Sequence, residues 1–109
     1  MKQNPDALSQ KCWEEQSGVL ARNVKAYRQI RGFGVTDLSS KIGVTRNTVW
    51  SMESNRGHQL SIGVVLALAD VLGIPLSELF TSKDDEFYSK AEFYYKKGVE
   101  RVNENEHDA

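Results

Sequence analysis

The 109-residue sequence is poor in cysteine and in long hydrophobic runs, and each shortage excludes a class of structure. Cys12 is the only cysteine, so an internal disulfide cannot form and a cysteine-based zinc site would need ligands from elsewhere. No apolar run approaches the roughly 20 residues that a membrane helix needs. The first residues also carry neither a signal nor a transit pattern. We therefore expect no membrane partner, a reducing compartment and a cytoplasmic location.

Metal-ligating and catalytic patterns are also missing. The two histidines, His58 and His107, lie far apart and lack the spacing of metal ligands. The sequence has no resemblance to a catalytic carboxylate pair, a nucleophile beside a base, or a glycine-rich phosphate loop. These absences predict no metal, no cofactor and no enzymatic activity.

The net charge is small, but the charged residues are unevenly distributed. A net charge of −1 argues against nucleic acid, because basic side chains supply most of the non-specific affinity for phosphate. Residues 19–60, however, hold seven basic residues against two acidic ones, whereas residues 83–109 hold five against eight. A basic body with an acidic tail is expected when one face of a protein meets a polyanion and another must not.

The apolar residues recur at helical spacing, which predicts an all-α fold without strands. We place the start of the first helix at a cap formed by Ser17 and Gly18. The next helices are predicted at 36–42, at 45–55 and at 62–72, followed by a short fifth helix after Pro75. Glycines punctuate these segments at helix ends.

Three regions follow from this pattern. Residues 1–18 form an N-terminal arm or a short docking helix, residues 19–80 form one compact five-helix domain, and residues 81–109 form a C-terminal helical extension. Within the extension, Phe87 to Val102 approximates a heptad seam, which fits either packing on its own domain or dimerisation. We expect the acidic end, residues 103–109, to be disordered.

The third helix has the layout of a DNA-reading helix. Thr45 caps it, and Val49 and Met52 define its inner side. That arrangement turns Asn47, Ser51 and Ser54 outward and places Trp50 at the flank. Arg46 and Asn47 stand at the amino end, where arginine can bond guanine and asparagine can bond adenine bidentately.

Two stretches complete this pattern: LSSKIGVTRNTVWSME at 38–53 and LADVLGIPLSELF at 68–80. Residues 19–80 resemble the phage repressor and Cro family of helix-turn-helix proteins, the xenobiotic-response-element type. The resemblance implies a lambda-repressor-like five-helix domain, here with an extra C-terminal helix. It also implies a transcriptional regulator, in the form of a repressor, that binds double-stranded DNA.

The resemblance assigns residue roles as well. Base contacts fall on Arg46, Asn47 and Ser51, with Trp50 either beside them along the sugar-phosphate wall or packed against the second helix. An ion pair is implied between Arg28 and Glu53. Family members usually have a glutamine where this chain has Val35, which cannot donate a hydrogen bond to phosphate. The positions expected to bind phosphate are Thr36, Thr45, Thr48, Ser54, Asn55 and Arg56.

One short recognition helix offers too few base-reading side chains for the tight binding typical of regulators, so we expect a homodimer on a pseudo-palindromic operator. The interface could be the uniformly apolar fourth helix or the 87–102 segment. An alternative function is an antitoxin or partner-binding regulator, in which the aromatic tail at 87–95 and Trp13 hold another protein.

Overall fold

The computed structural model describes the backbone of residues 5–55 and 60–108, and the side chains of 7–55 and 60–99. All regular structure in these residues is helical, and the all-α prediction is confirmed. We predicted a loop from Asn55 to Gln59, and its residues 56–59 lie outside the described residues. The helices are α1 (Pro5–Ile30), α2 (Val35–Ile42), α3 (Arg46–Glu53), α4 (Ile62–Leu72), a 3-10 helix (Leu76–Phe80) and α5 (Asp85–Asp108).

The first helix starts far upstream of its predicted cap. α1 begins at Pro5, a residue type suited to the first turn of a helix, and runs through Ser17 and Gly18 without interruption. The Ser17 hydroxyl donates to the Glu14 carbonyl within the helix, at 3.5 Å, instead of capping a new one. Trp13, which we assigned to an arm or a docking helix, packs against the main core.

A tight turn joins α2 to α3. Gly43 ends α2 with a φ of 78°, a left-handed conformation that glycine adopts without steric cost, and its N–H donates to the Ser39 carbonyl at 2.9 Å. Val44 follows and packs against the core. The turn therefore fixes the angle at which α3 leaves α2. The other end of α2 lies at Val35, one residue before the predicted start.

A single apolar core lies between α1, α2, α3, α4 and the 3-10 helix. Aliphatic side chains dominate it, and most of them are completely shielded from solvent. Burial of each large aliphatic side chain contributes about 1.5–3 kcal/mol. The core members are Leu20, Val24, Leu38, Val49, Met52, Val65, Leu68, Ala69, Leu72 and Leu79.

α5 packs on α1 of its own domain, and the two helices run parallel. The Arg22 guanidinium carbon lies 4.0 Å from the Tyr88 ring centroid, and that of Arg28 lies 5.4 Å from the Tyr95 centroid. The later residue of α1 contacts the later residue of α5, and this order of contacts requires the two helices to run in the same direction. Packing on its own domain, one of the two roles that we left open for this segment, is present in the structure, and dimerisation stays a prediction.

α5 is also longer than predicted. It continues to Asp108, past Val102, through residues that we expected to be disordered. No proline or glycine follows Gly98 before that point, so nothing in the backbone chemistry interrupts the helical hydrogen-bond ladder.

Candidate DNA-binding surface

The amino end of α3 is organised by two threonines. Thr45 has extended backbone angles, and its side-chain oxygen accepts a hydrogen bond from the Thr48 backbone N–H at 3.2 Å. The two hydroxyl oxygens lie 2.9 Å apart and share a further hydrogen bond. This N-cap fixes the first turn of α3, from which Arg46 and Asn47 project.

The outer face of α3 is polar and open to solvent. Arg46 and Asn47 are exposed at the amino end, and Ser51 is half-buried one turn later. Trp50 at the flank is 51% exposed. The predicted base-reading side chains therefore share one end and one side of a short helix.

The carboxyl end of α3 is anchored by a buried ion pair. Arg28 donates from Nε to Glu53 Oε2 at 2.7 Å and from its second terminal nitrogen to Oε1 at 3.0 Å. The side chains are only 6% and 9% exposed, respectively. A third guanidinium nitrogen donates to the Phe33 carbonyl at 2.7 Å. Arg28 thus joins α1, the α1–α2 turn and α3.

The pKa of Arg28 is raised above its ordinary value. Burial by itself lowers this pKa, but the hydrogen bonds and negative charge of Glu53 outweigh it. The Arg28 guanidinium is therefore held in its charged form where it joins α1 to α3.

Beyond α3, the chain turns sharply. Ser54 and Asn55 are exposed, and Asn55 adopts a φ of 54°, a left-handed conformation that asparagine tolerates better than most residues. Arg56, the third residue predicted to bind phosphate in this loop, lies outside the described residues.

Two features of the amino end of α2 bear on phosphate binding. Val35 is half-buried and packs against the core, so it serves the scaffold. The Asp37 carboxylate accepts a hydrogen bond from the Gly34 N–H at 2.8 Å, which places a negative charge at this helix end. Thr36 is exposed beside it.

Several basic residues of the 19–60 segment have internal partners. Arg31 donates to the Leu72 carbonyl at 2.7 Å, at the carboxyl end of α4. Arg22 lies 3.5 Å from Asp85. The excess of positive charge in this segment is therefore only partly available to an external anion.

Sequence reasoning missed a buried hydrogen-bond centre at Asn23. Its amide nitrogen donates to the carbonyls of Glu78, Leu79 and Thr81 at 2.9–3.1 Å, and its oxygen accepts from the Tyr88 hydroxyl at 2.5 Å. The signal was present in the sequence, because Asn23 stands among the apolar positions of α1, beside Leu20 and Val24.

A second missed cluster lies beside it. The Tyr27 hydroxyl donates to Glu78 at 2.9 Å, and Lys83 pairs with the same carboxylate at 2.6 Å. Hydrogen bonds from Lys83 and Tyr27 lower the pKa of Glu78. The Glu78 partner raises the pKa of Lys83, whereas burial followed by the Glu78 hydrogen bond raises that of Tyr27. This cluster ties the 3-10 helix to α1 and to the start of α5.

Within the part of the chain that the structure describes, no group of histidine, cysteine or acidic residues is arranged to hold a metal ion. In the same residues, no helix is both long and apolar enough to span a lipid bilayer.

The comparisons with known proteins identify the family. The model of the Cro/C1-type HTH DNA-binding domain matches residues 23–85, more than half of the chain. The chain therefore belongs to the Cro/C1-type helix-turn-helix family, as the resemblance predicted. Members of this family are DNA-binding transcriptional regulators.

Individual relatives carry the same description. An uncharacterized HTH-type transcriptional regulator of Methanocaldococcus jannaschii is 27% identical over 67 residues, which are 62% of this chain and 100% of the relative. The HTH-type transcriptional regulator SinR of Bacillus licheniformis is 27% identical over 70 residues, which are 64% of this chain and 63% of the relative. No solved structure matches the chain at a comparable level of significance.

Proposed function

We propose that the protein is a cytoplasmic repressor that reads the major groove of a pseudo-palindromic operator with α3. The observation that carries this proposal is the geometry of α3, whose exposed amino end presents Arg46 and Asn47 while the buried Arg28–Glu53 pair fixes its other end. A reading helix needs this combination, because base edges are discriminated only by side chains held in register.

Each exposed side chain of α3 has a defined role in this proposal. Arg46 bonds the two acceptors of a guanine, and Asn47 bonds the acceptor and donor of an adenine. Ser51 is small enough to let the helix approach the bases. Trp50 lies along the edge of the groove.

The threonine cap supplies the first phosphate contact. Thr45 and Thr48 share one hydroxyl hydrogen in the bond between them, and the second hydroxyl hydrogen is left to donate to a phosphate oxygen. Ser54, Asn55 and Arg56 hold the backbone beyond α3. Thr36 contacts phosphate weakly, because the Asp37 carboxylate stands at the same helix end and repels anions.

Operator selection from random duplexes tests the assignment. The selected site is expected to be a pseudo-palindrome with half-site centres about 34 Å apart, one helical turn. In a cell, a reporter under this operator should fall in expression when the protein is supplied. Selection of a single unpaired half-site, or no enrichment at all, would contradict the proposal.

The α4 surface is our first candidate for the dimer interface. Ile62 is 69% exposed and Leu66 is 51% exposed on the same helix. Leu8, at 65% exposure, and Leu76 add to the uncovered apolar surface on neighbouring elements. Monomers rarely leave contiguous apolar surface of this kind in water. The remaining candidate is the outer face of α5, where Phe93 and Tyr94 are exposed.

Sedimentation of two charge variants separates these interfaces. Leu66→Asp should convert the dimer to a monomer at micromolar concentration, because dimerisation would bury the new carboxylate. Tyr94→Asp is the matched control on α5. If Tyr94→Asp were monomeric and Leu66→Asp dimeric, the interface would lie on α5. A wild-type protein that is monomeric and still protects a single half-site tightly would contradict the dimer.

The exposed aromatic pair favours a second candidate function. Phe93 is 55% exposed and Tyr94 is 67% exposed. Their ring centroids lie 5.3 Å apart in an edge-to-face arrangement. In an antitoxin or partner-binding regulator, this pair would anchor the other protein. Co-purification from native cytoplasm with wild-type protein, but not with a Phe93→Ser, Tyr94→Ser variant, is the expected result.

A further inference from the structure

A cavity of about 730 Å³ lies between the α1–α2 turn and the middle of α5. This volume is in the range of small-molecule sites, about 300–1,000 Å³. Ile30, Phe87, Tyr94 and Tyr95 supply apolar and aromatic walls. The glycines of the lining leave room, since a Cβ placed on Gly98 would meet nothing within 4 Å.

Gln29 is the one amide side chain in the lining of this cavity. Its residue is only 9% exposed, and it belongs to the lining. Among the described residues, its amide makes no side-chain hydrogen bond, yet no fully buried side-chain nitrogen or oxygen is left without a partner. The amide is therefore accessible to solvent. Because Gln29 belongs to the lining, the amide can offer one acceptor and two donor hydrogens to a molecule in the cavity.

The lining contains one residue of each charge, and both are exposed to water. Lys90 lies 2.8 Å from Glu86, and Asp37 accepts the Gly34 N–H at 2.8 Å. Because neither charge is buried in the cavity, the cavity does not call for an ionic ligand.

We propose that this cavity binds a small, uncharged, largely aromatic molecule that carries one hydrogen-bonding group. The molecule stacks against Phe87, Tyr94 and Tyr95, and its polar group meets the amide of Gln29. A ligand group that bonds the amide as well as water does is oriented by that bond, which gives the site specificity.

The position of Tyr95 connects the cavity to α3. Its ring lies against the guanidinium of Arg28, which pairs with Glu53 at the end of α3. A ligand that binds one position of Tyr95 better than another shifts α3 by that difference in affinity. This second step rests on the proposed function, whereas the binding site itself does not.

Titration of the full chain with 2-naphthol tests the site, with naphthalene as the control that lacks a hydroxyl group. NMR should show saturable shifts of the Gln29 side-chain amide and of the Gly32 and Gly98 backbone amides. Naphthalene should bind about fivefold more weakly, the fold-change that corresponds to one hydrogen bond of about 1 kcal/mol. Gln29→Leu should abolish the difference between the two compounds.

A cavity-filling variant provides the second arm. Gly98→Leu places a side chain into the open space and should abolish binding of both compounds, while the helical circular dichroism is retained. Gly63→Leu, on the exposed side of α4, is the matched control and should bind normally. Folded protein without saturable shifts, or binding that survives Gly98→Leu, would overturn the proposal. Shifts at these residues caused by protein concentration alone would also overturn it, because a second copy would then fill the cavity.

The coupling to α3 has its own readout. At saturating 2-naphthol, the indole N–H resonance of Trp50 should shift in the wild type and stay in place in Tyr95→Ala. If the Trp50 indole N–H resonance did not shift when 2-naphthol binds to the wild type, the proposed coupling would be wrong. Operator affinity should change with 2-naphthol in the wild type alone. Absence of any operator binding would refute the proposed function and leave the cavity result intact.

Discussion

Two regions of the molecule use the same residue types for opposite purposes. In the scaffold, Arg28 and Asn23 are buried, and their donor groups bind several carbonyl or carboxylate oxygens. On the outer face of α3, Arg46 and Asn47 are exposed. The difference teaches that burial and the number of bonds, not the side chain itself, decide whether an arginine or asparagine supports the fold or remains available to contact another molecule.

The largest loss of stability is expected for a substitution at Glu53, in the scaffold. Glu53→Gln leaves the buried Arg28 charge without a counter-ion, which should destabilise the protein by up to about 3–5 kcal/mol. Thermal unfolding measures the loss, and the melting temperature should fall before any change in operator preference is detected. Glu15→Gln makes the same chemical change at an exposed position of α1 and should leave stability unaltered. Equal stability of the two variants would show that the pair contributes little.

The asparagines provide the next contrast. Asn23→Ala leaves buried carbonyls of the 3-10 helix without their donor, and we expect a loss of about 3 kcal/mol. Asn47→Ala should stay within about 0.5 kcal/mol of the wild type, because it alters an exposed surface. Urea denaturation of both variants compares them directly, and similar midpoints would refute the distinction between the regions.

DNA binding should show the opposite order. Arg46→Ala and Asn47→Ala are each expected to lose about 1–3 kcal/mol of preference for the cognate base pair, with little change in non-specific binding for Asn47. The assay is titration against a panel of operator variants, in which Glu15→Gln, at an exposed position of α1, serves as the control. If both α3 variants kept the wild-type preference, α3 would not be the reading helix.

The smallest expected effect concerns pH. The folded-state pKa of Glu78 lies below its ordinary value of 4.5, so this residue adds stability above pH 4.5, and the contribution is lost as the pH falls through the folded pKa. Glu78→Gln should flatten this part of the pH profile of unfolding, relative to Glu15→Gln. Identical pH profiles for the two variants would show that the Tyr27–Glu78–Lys83 cluster does not help to attach α5.

Much of the fold could be predicted from the sequence, because local rules govern it. Apolar spacing and glycine punctuation located α2, α3 and α4 to within a few residues, and the Thr45 cap is where hydroxyl chemistry places it. The α1 boundary was wrong because serine and glycine suit a cap, yet Trp13 packs on the core and favours continuing the helix.

The remaining features depend on contacts between distant residues. The hydrogen bond from Tyr88 to Asn23 joins residues 65 positions apart, and no local sequence pattern predicts it. The same holds for the cavity, where Gln29 on α1 faces Gly98 on α5. For the candidate DNA-binding surface, the sequence predicted which α3 residues are exposed, but not that Asp37 occupies the amino end of α2.

The parallel pairing of α1 with α5 has a consequence for synthesis of the protein. Asn23 leaves the ribosome 65 residues ahead of Tyr88, whose hydroxyl donates a hydrogen bond to it, so α3 is made long before the last support of α1. A nascent chain that ends before Tyr88 has all of α3 but an unfinished scaffold. Tight operator binding should therefore begin only once α5 has emerged, late in translation.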